Sequence, residues 1–258
     1  MAFLPTTVKE LEERGWEYVD VIFVSGDAYV DHPSFGCAVI CRYLERAGYR
    51  VAVLAQPNWQ DDLRDFKKMG QPRLCFCVSS GCMDSMVNHY TAAKRKRSDD
   101  AYTAGGQSGF RPDRATSVYS EILKRLYPSV PVLIGGIEAS MRRLAHYDYW
   151  SDTLMPSILL TSGADMLIYG MGEKVVKRIC DELKAGRKIE EITEIEQTAY
   201  LCHKPDEAKK AWADVFVPSF EQCRRDKKSQ AKSICLFEKH SNKSDDERLI
   251  QKYEKESV

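Results

Sequence analysis

A chain of 258 residues in which 38 Lys and Arg are balanced by 38 Asp and Glu has no net field to draw it to nucleic acid or an acidic membrane, so any such binding has to be local. Its 43% hydrophobic content supports a core, and the length suits a domain of about 200 residues followed by a polar tail. Nine cysteines, an odd number set mostly in apolar runs, read as the reduced thiols of a cytoplasmic protein rather than a disulfide framework.

The opening MAFLPTTVKELEERG carries acidic residues and no long apolar region, so it is not expected to be a secretory leader. No run approaches the roughly 18 apolar residues of a membrane span. Thr6 or Thr7 can cap a short helix from Val8 to Arg14, with Gly15 as its stop. Val19 to Val24 then reads as a buried strand that runs into a loop holding Ser25, Gly26, Asp27, Asp31 and His32. Val39, Ile40, Tyr43, Leu44 and Ala47 mark the face of a helix over Phe35 to Ala47, ended by Gly48. Arg50 to Ala55 is a second strand, Asp61 to Met69 a polar helical connector, and Arg73 to Val78 a third strand opening into Ser79, Ser80 and Gly81.

A long interruption from Cys82 to Asp113 follows, with the basic run Lys94 to Arg97 and glycines at 105, 106 and 109; stretches of this kind are usually functional or mobile. A helix to about Leu126 and a fourth strand, Val130 to Ile134, lead into Gly135, Gly136, Ile137 and Glu138. Met141 to Trp150 is an aromatic and cationic cluster expected to pack over the top of the sheet, and Ser157 to Thr161 a short apolar piece. Ala164 to Tyr169 is a fifth strand ending in Gly170, Met171, Gly172 and Glu173, followed by a helix that Gly186 stops. Ile189 to Tyr200 reads as a strand or connector, Asp206 to Asp214 as a helix, and Lys227 to Val258 as a charged segment that could pack on something absent, as if the chain were cut short.

Strands alternating with helices, each βα loop small or glycine-rich, predict a doubly wound, mainly parallel five-stranded α/β sheet of Rossmann-like or flavodoxin-like type over residues 1–187. Residues 188–258 are then a connector and charged extension. Right-handed crossovers put the loops after strands one, three, four and five on one rim, where open parallel sheets hold ligands. The candidate ligand-binding residues are therefore Gly26, Asp27, His32, Ser79, Ser80, Gly135, Gly136, Glu138, Gly170, Gly172 and Glu173.

Cys37 and Cys41 open a C-x3-C spacing, but position 44 is Leu, and both fall on an apolar helix face; core packing is the better reading. Cys75 and Cys77 share one face of a strand, and neither they nor Cys82 have zinc spacing, so no metal ligands are assigned. His32-x3-Gly36 is one residue longer than the D-x-H-x2-G pattern through which some corrinoid proteins offer a histidine to cobalt. Lys94 to Arg97 beside His89 and Tyr90 would suit phosphate contacts with stacking, although Asp99 and Asp100 cancel part of that charge, which disfavours nucleic acid.

The strings GDAYVDHPSFG (26–36), MDSMVNHYTA (83–92), KRKRSDDAY (94–102), RPDRAT (111–116), IGGIEASMRRLAHYDYWSD (134–152), YGMGE (169–173) and VPSFE (217–221) together resemble the amino-terminal region of the YgiQ-type radical SAM family. The resemblance implies a cobalamin-binding-type domain, with cobalamin as candidate cofactor. It also implies a radical SAM barrel as partner, in the same protein or as a separate chain. In the family, the barrel's C-x3-C-x2-C binds a 4Fe-4S cluster that cleaves S-adenosylmethionine; no such motif occurs in these 258 residues, so this chain alone is expected to be inactive. Two other readings are an interaction module that docks a partner domain through the aromatic cluster, and an RNA-binding accessory domain using Lys94 to Arg97.

Overall fold

The computed structural model describes residues 2–202, 212–240 and 247–254. In chain order the elements are α1 (Val8–Glu13), β1 (Val21–Ser25), α2 (Gly36–Arg46), β2 (Val51–Ala55), α3 (Arg64–Lys67), β3 (Cys75–Ser79), α4 (Ser85–His89) and α5 (Ala115–Leu126). They continue with β4 (Val132–Gly135), α6 (Gly136–Met141), β5 (His146–Asp148), β6 (Thr153–Met155), α7 (Ile158–Ser162), β7 (Met166–Ile168) and α8 (Glu173–Lys184). The last are β8 (Thr198–Ala199), β9 (Ala213–Val217), α9 (Phe220–Arg225), α10 (Lys227–His240) and β10 (Glu247–Gln251).

The main sheet has the order β2-β1-β3-β4-β7-β8. Its first five strands pair in parallel, and β8 adds antiparallel to β7. The expected five-stranded sheet is thus corrected to six, because Leu167 and Ile168 of β7 pair with Ala199 and Thr198. Ile189, Ile192 and Ile195 are buried in the core ahead of β8, so the packed unit continues past residue 187.

Period-two alternation divides the sheet between two cores. Val21, Phe23, Cys75 and Cys77 face a core closed by α2 and α8, whereas Ile22, Val24, Phe76 and Val78 face one closed by α3, α5 and α7. With both faces covered, every residue of β1 is buried, as a central parallel strand requires. Cys41, Cys75, Cys77 and Cys180 pack inside the first core as small apolar groups. Contact with Cys180 and Cys77, together with burial, pushes the Cys75 thiol well above its ordinary value, which makes it unreactive.

Local chemistry explains the remaining differences. The helix expected over Asp61 to Met69 shrinks to the single turn α3 because Asp61 Oδ1 accepts from the Leu63 amide and Asn58 Oδ1 from the Gln60 amide. Leu63 is left-handed as a result, with φ +60°, and such Asx turns compete with helix. The stretch from Cys82 to Asp113 is built rather than loose: it holds α4 and the antiparallel bridges Tyr90 to Lys96 and Asp99 to Gln107, and it buries Asp100, Thr103 and Arg111. The aromatic cluster forms the β5–β6 hairpin and packs on this stretch, with Trp150 5.1 Å from the Tyr90 ring and the Tyr149 hydroxyl donating to the Ala92 carbonyl.

The helix expected over Asp206 to Asp214 lies largely outside the described residues, while Ala213–Val217 is strand β9, paired in parallel with β10. The charged segment docks on the rest of the chain at defined points. Gln251 Oε1 accepts from the Ala145 amide, the Tyr253 hydroxyl accepts from the Ser157 amide, and the Arg143 guanidinium lies 4.2 Å from the Phe237 ring. Among the described residues no helix is long and apolar enough to cross a membrane.

Candidate ligand cleft at the carboxyl edge of the sheet

Strand order reverses between β1 and β3, so the chain segments that leave these two strands part and open a crevice at their carboxyl ends. That crevice is a cleft of about 390 Å³, within the size range of small-molecule sites. It runs from the β1 and β3 ends across β4 to β7, and the first turns of α2 and α8 form part of its wall. Phe23, Ile40, Leu133, Ile168 and Val176 make it apolar inside, and Ser25, Asp27, Ser79 and Glu173 are among the polar groups on its lining.

Close packing at the rim depends on glycine at two positions. Gly81 has φ +109°, and a Cβ there would lie 2.0 Å from Asp27 Oδ1. Gly136 has φ +82°, and a Cβ there would lie 2.6 Å from Ser79 Oγ. Each glycine lets a polar side chain of the neighbouring loop come up to the backbone.

Behind the cleft floor, Arg111 is fully buried and ties three loops together. Its Nη1 lies 2.9 Å from Asp27 Oδ1 and donates to the Ser80 carbonyl at 2.6 Å, while Nη2 donates to Asp100 Oδ1 at 3.1 Å and Oδ2 at 3.0 Å. Asp27 Oδ2 accepts from the Cys82 amide at 2.6 Å, and the Asp27 amide donates to Ser25 Oγ at 3.1 Å. Burial raises the Asp27 carboxyl above its ordinary value, with Arg111 pulling the other way. Burial, helped by the negative charge of Asp27, pushes the Cys82 thiol up to about 11.

Seven of the expected residues line the cleft: Asp27, Ser79, Gly135, Gly136, Gly170, Gly172 and Glu173. Four do not. Gly26 packs directly on the Ser80 backbone, where a Cβ would meet the carbonyl oxygen at 2.1 Å, and Ser80 itself is buried with its hydroxyl donating to the Met83 carbonyl. Glu138 is buried in a knot, accepting from the Ser85 amide at 2.8 Å, the Ser85 hydroxyl at 2.5 Å and the Thr116 amide at 2.8 Å. His32 sits exposed in a turn, its Nδ1 accepting from the Ser34 amide at 3.1 Å.

The structure adds Arg111, Cys82, Phe35 and Ile40 to the neighbourhood of the site. Of the last two, the helical periodicity of Phe35 to Ala47 already marked Ile40. Nothing local in the sequence pairs Arg111 with two aspartates 84 and 11 positions earlier. In the basic run, Lys94 is held in place, its Nζ donating to the Trp150 carbonyl at 3.1 Å and lying 4.9 Å from the Tyr149 ring.

A family model described as radical SAM N-terminal matches residues 3–258. A UPF0313 protein of Porphyromonas gingivalis is 54% identical over 249 residues, covering 96% of this chain and 39% of the relative. A UPF0313 protein of Bacteroides thetaiotaomicron is 53% identical over 267 residues, covering 99% of this chain and 43% of the relative. The chain therefore spans about two fifths of the length of these curated relatives. Among solved structures, the radical S-adenosylmethionine methyltransferase TsrM from Kitasatospora setae, with tryptophan substrate and the SAM analog aza-SAM bound, aligns at TM-score 0.45 and 18% identity over 72% of this chain and 28% of that one. The same enzyme with cobalamin and a 4Fe-4S cluster bound gives TM-score 0.44 and 17% identity over 72% of this chain and 27% of that one.

Proposed function

This chain belongs to the radical SAM N-terminal family, and from that membership we propose that it is the ligand-holding domain of a longer radical SAM protein, presenting a cofactor at the rim cleft to a radical SAM core. The 4Fe-4S cluster and S-adenosylmethionine are assigned to that core, since the present 258 residues contain no C-x3-C-x2-C. The candidate cofactor for this domain is cobalamin. When bound, cobalamin supplies a cobalt centre for group transfer, and the protein supplies binding and orientation.

The observation that carries the reading is the cleft itself: an apolar slot of about 390 Å³ between α2 and α8, rimmed by Gly135, Gly136 and Gly172. A planar group of nucleotide size fits such a slot, with Phe23, Ile40, Leu133, Ile168 and Val176 against its faces. The bulk of a corrin, larger than this slot, would have to lie over the rim. The fit rests on the cleft and not on His32, which lies in an exposed turn and does not line it.

Titration of the chain with hydroxocobalamin, followed by visible absorption and calorimetry, tests this. Saturable one-to-one binding is expected, weakened at least tenfold by Val176→Trp, which fills the slot. Neither a spectral change nor heat at micromolar concentrations would overturn it.

A further inference from the structure

Two successive arginines follow α6, and their charges are met in different ways. Arg142 pairs with the Asp84 carboxylate and donates to the Glu138 carbonyl at 3.1 Å. Arg143 has no such balance. Its Nη1 donates to the Ser140 carbonyl at 2.5 Å, and no carboxylate among the described residues pairs with it. The guanidinium lies instead over two aromatic rings, 4.7 Å from the centre of Tyr169 and 4.2 Å from that of Phe237. Burial lowers its pKa below the ordinary arginine value, and among the described residues Tyr169 is the only titratable neighbour whose charge acts on it.

The segments around this guanidinium supply one carbonyl and no anion. Tyr169 is followed by Gly170, Met171 and Gly172, none of them charged. On α10, the residues one turn from Phe237 on its own face are Ser233, Ile234 and His240, and Glu238 beside it makes no pair with Arg143. A guanidinium carries five N–H donors in a planar fork. Aromatic faces attract the cation through their π clouds and leave the edge of the fork unspent. A charge drawn partly out of water costs free energy until an opposite charge meets it. What Arg143 lacks is an oxyanion at that edge.

We propose that Arg143 forms an oxyanion site at the seam between the loop after β7 and α10, its unspent N–H edge taking the phosphoryl or carboxylate group of a ligand while Tyr169 and Phe237 hold its plane. Both groups match the fork in a bidentate manner. The balanced charge of the chain gives no field for a polyanion, so the ligand is a small molecule carrying one such group. Arg143, Tyr169 and Phe237 do not line the cleft. The site therefore goes beyond the cofactor-holding reading, and neither stands or falls with the other.

Inorganic phosphate and acetate are the probes, titrated into the isotope-labelled 258-residue chain at constant ionic strength set with chloride. The arginine Nε–Hε signals are followed by NMR, and the Arg143 signal is the one that Arg143→Lys removes. That signal is expected to shift saturably in the millimolar range. Whichever anion saturates at the lower concentration names the group that the site takes. In parallel melts, the preferred anion should raise the Tm of the wild-type chain above its chloride control. Arg143→Lys, which keeps the charge and loses the fork, should need several-fold more anion for the same rise, and Arg143→Gln should show none. Arg46→Gln, at an exposed arginine of α2, should leave the rise intact. If Arg143 serves only to pin α10, Arg143→Gln melts lower in chloride and the wild-type signal does not respond to either anion. That result, or an equal Tm rise in wild type and Arg143→Gln, overturns the proposal.

Discussion

Arg111→Met provides the sharpest test of how the cleft floor is held. The arginine is fully buried, and its guanidinium supplies every charge-balancing contact to Asp27 and Asp100, at 2.9 Å and 3.0 Å. Methionine fills similar volume but leaves two buried carboxylates and the Ser80 carbonyl without their donor. Breaking a buried ion pair from one side costs about 3–5 kcal/mol, which for a domain of this size lowers Tm by about 6–20 °C. The loss should depend on pH. The Asp27 carboxyl is already raised above its ordinary 3.8 in the folded protein, with Arg111 holding it down. A carboxyl raised on folding binds more protons in the native state than in the unfolded one, so stability falls as pH rises through the window above 3.8. Removing Arg111 raises the folded value further and extends that fall to higher pH. Urea denaturation at pH 5 and pH 8 should therefore show a smaller gap between variant and wild type at pH 5. Replacing all three groups together, with Asp27→Asn and Asp100→Asn added, should recover most of the loss at pH 8. A change below about 1 kcal/mol that is equal at both pH values would refute the argument that the trio is electrostatically coupled.

Three further outcomes follow from the geometry. Gly136→Ala combines a left-handed backbone with a Cβ 2.6 Å from Ser79 Oγ, whereas Gly48→Ala at φ +90° meets nothing within 4 Å. The second should cost about 1 kcal/mol of strain and spare hydroxocobalamin binding, and the first should cost more and reduce binding; equal effects in parallel melts and titrations would contradict the rim assignment. Thr7→Ala removes one side of the capping box with Glu10 at the start of α1 and should cost about 0.5–2 kcal/mol by chemical denaturation. Arg187 holds the Glu194 carboxyl down to about 2, so the ion pair stabilises the fold above the ordinary 4.5 and loses its contribution as pH falls from there toward 2. Because the pair is solvent-screened, Glu194→Gln should cost no more than about 1 kcal/mol at pH 7 and nothing near pH 2.

The sequence by itself was enough for whatever depends on neighbours along the chain. Thr7 and Gly15 bracket α1 as their capping and left-handed preferences dictate, and the apolar runs at 21–25, 51–55, 75–79 and 132–135 became parallel strands with small residues at their ends. That order of elements was sufficient to place the cleft on one rim, since crossover handedness leaves little freedom. The strings shared with the family were equally local. Asp61 and Asn58 show where local reading stops short even over a few residues, because an Asx turn and a helix draw on the same backbone groups.

Tertiary structure decided which rim residues line the cleft and which hold the rim together. Glu138, Ser80 and Gly26 sit in loops of the right kind, yet their side chains or backbones are spent on Ser85, Thr116, Met83 and one another. Asp27 could be picked out as a strand-end carboxylate, but its partner Arg111 arrives from 84 positions away, through a stretch that reads as loose because its buried groups are polar. Hydrophobic periodicity cannot register a segment whose order comes from a guanidinium shared by two carboxylates. Only the folded chain brings those charges together.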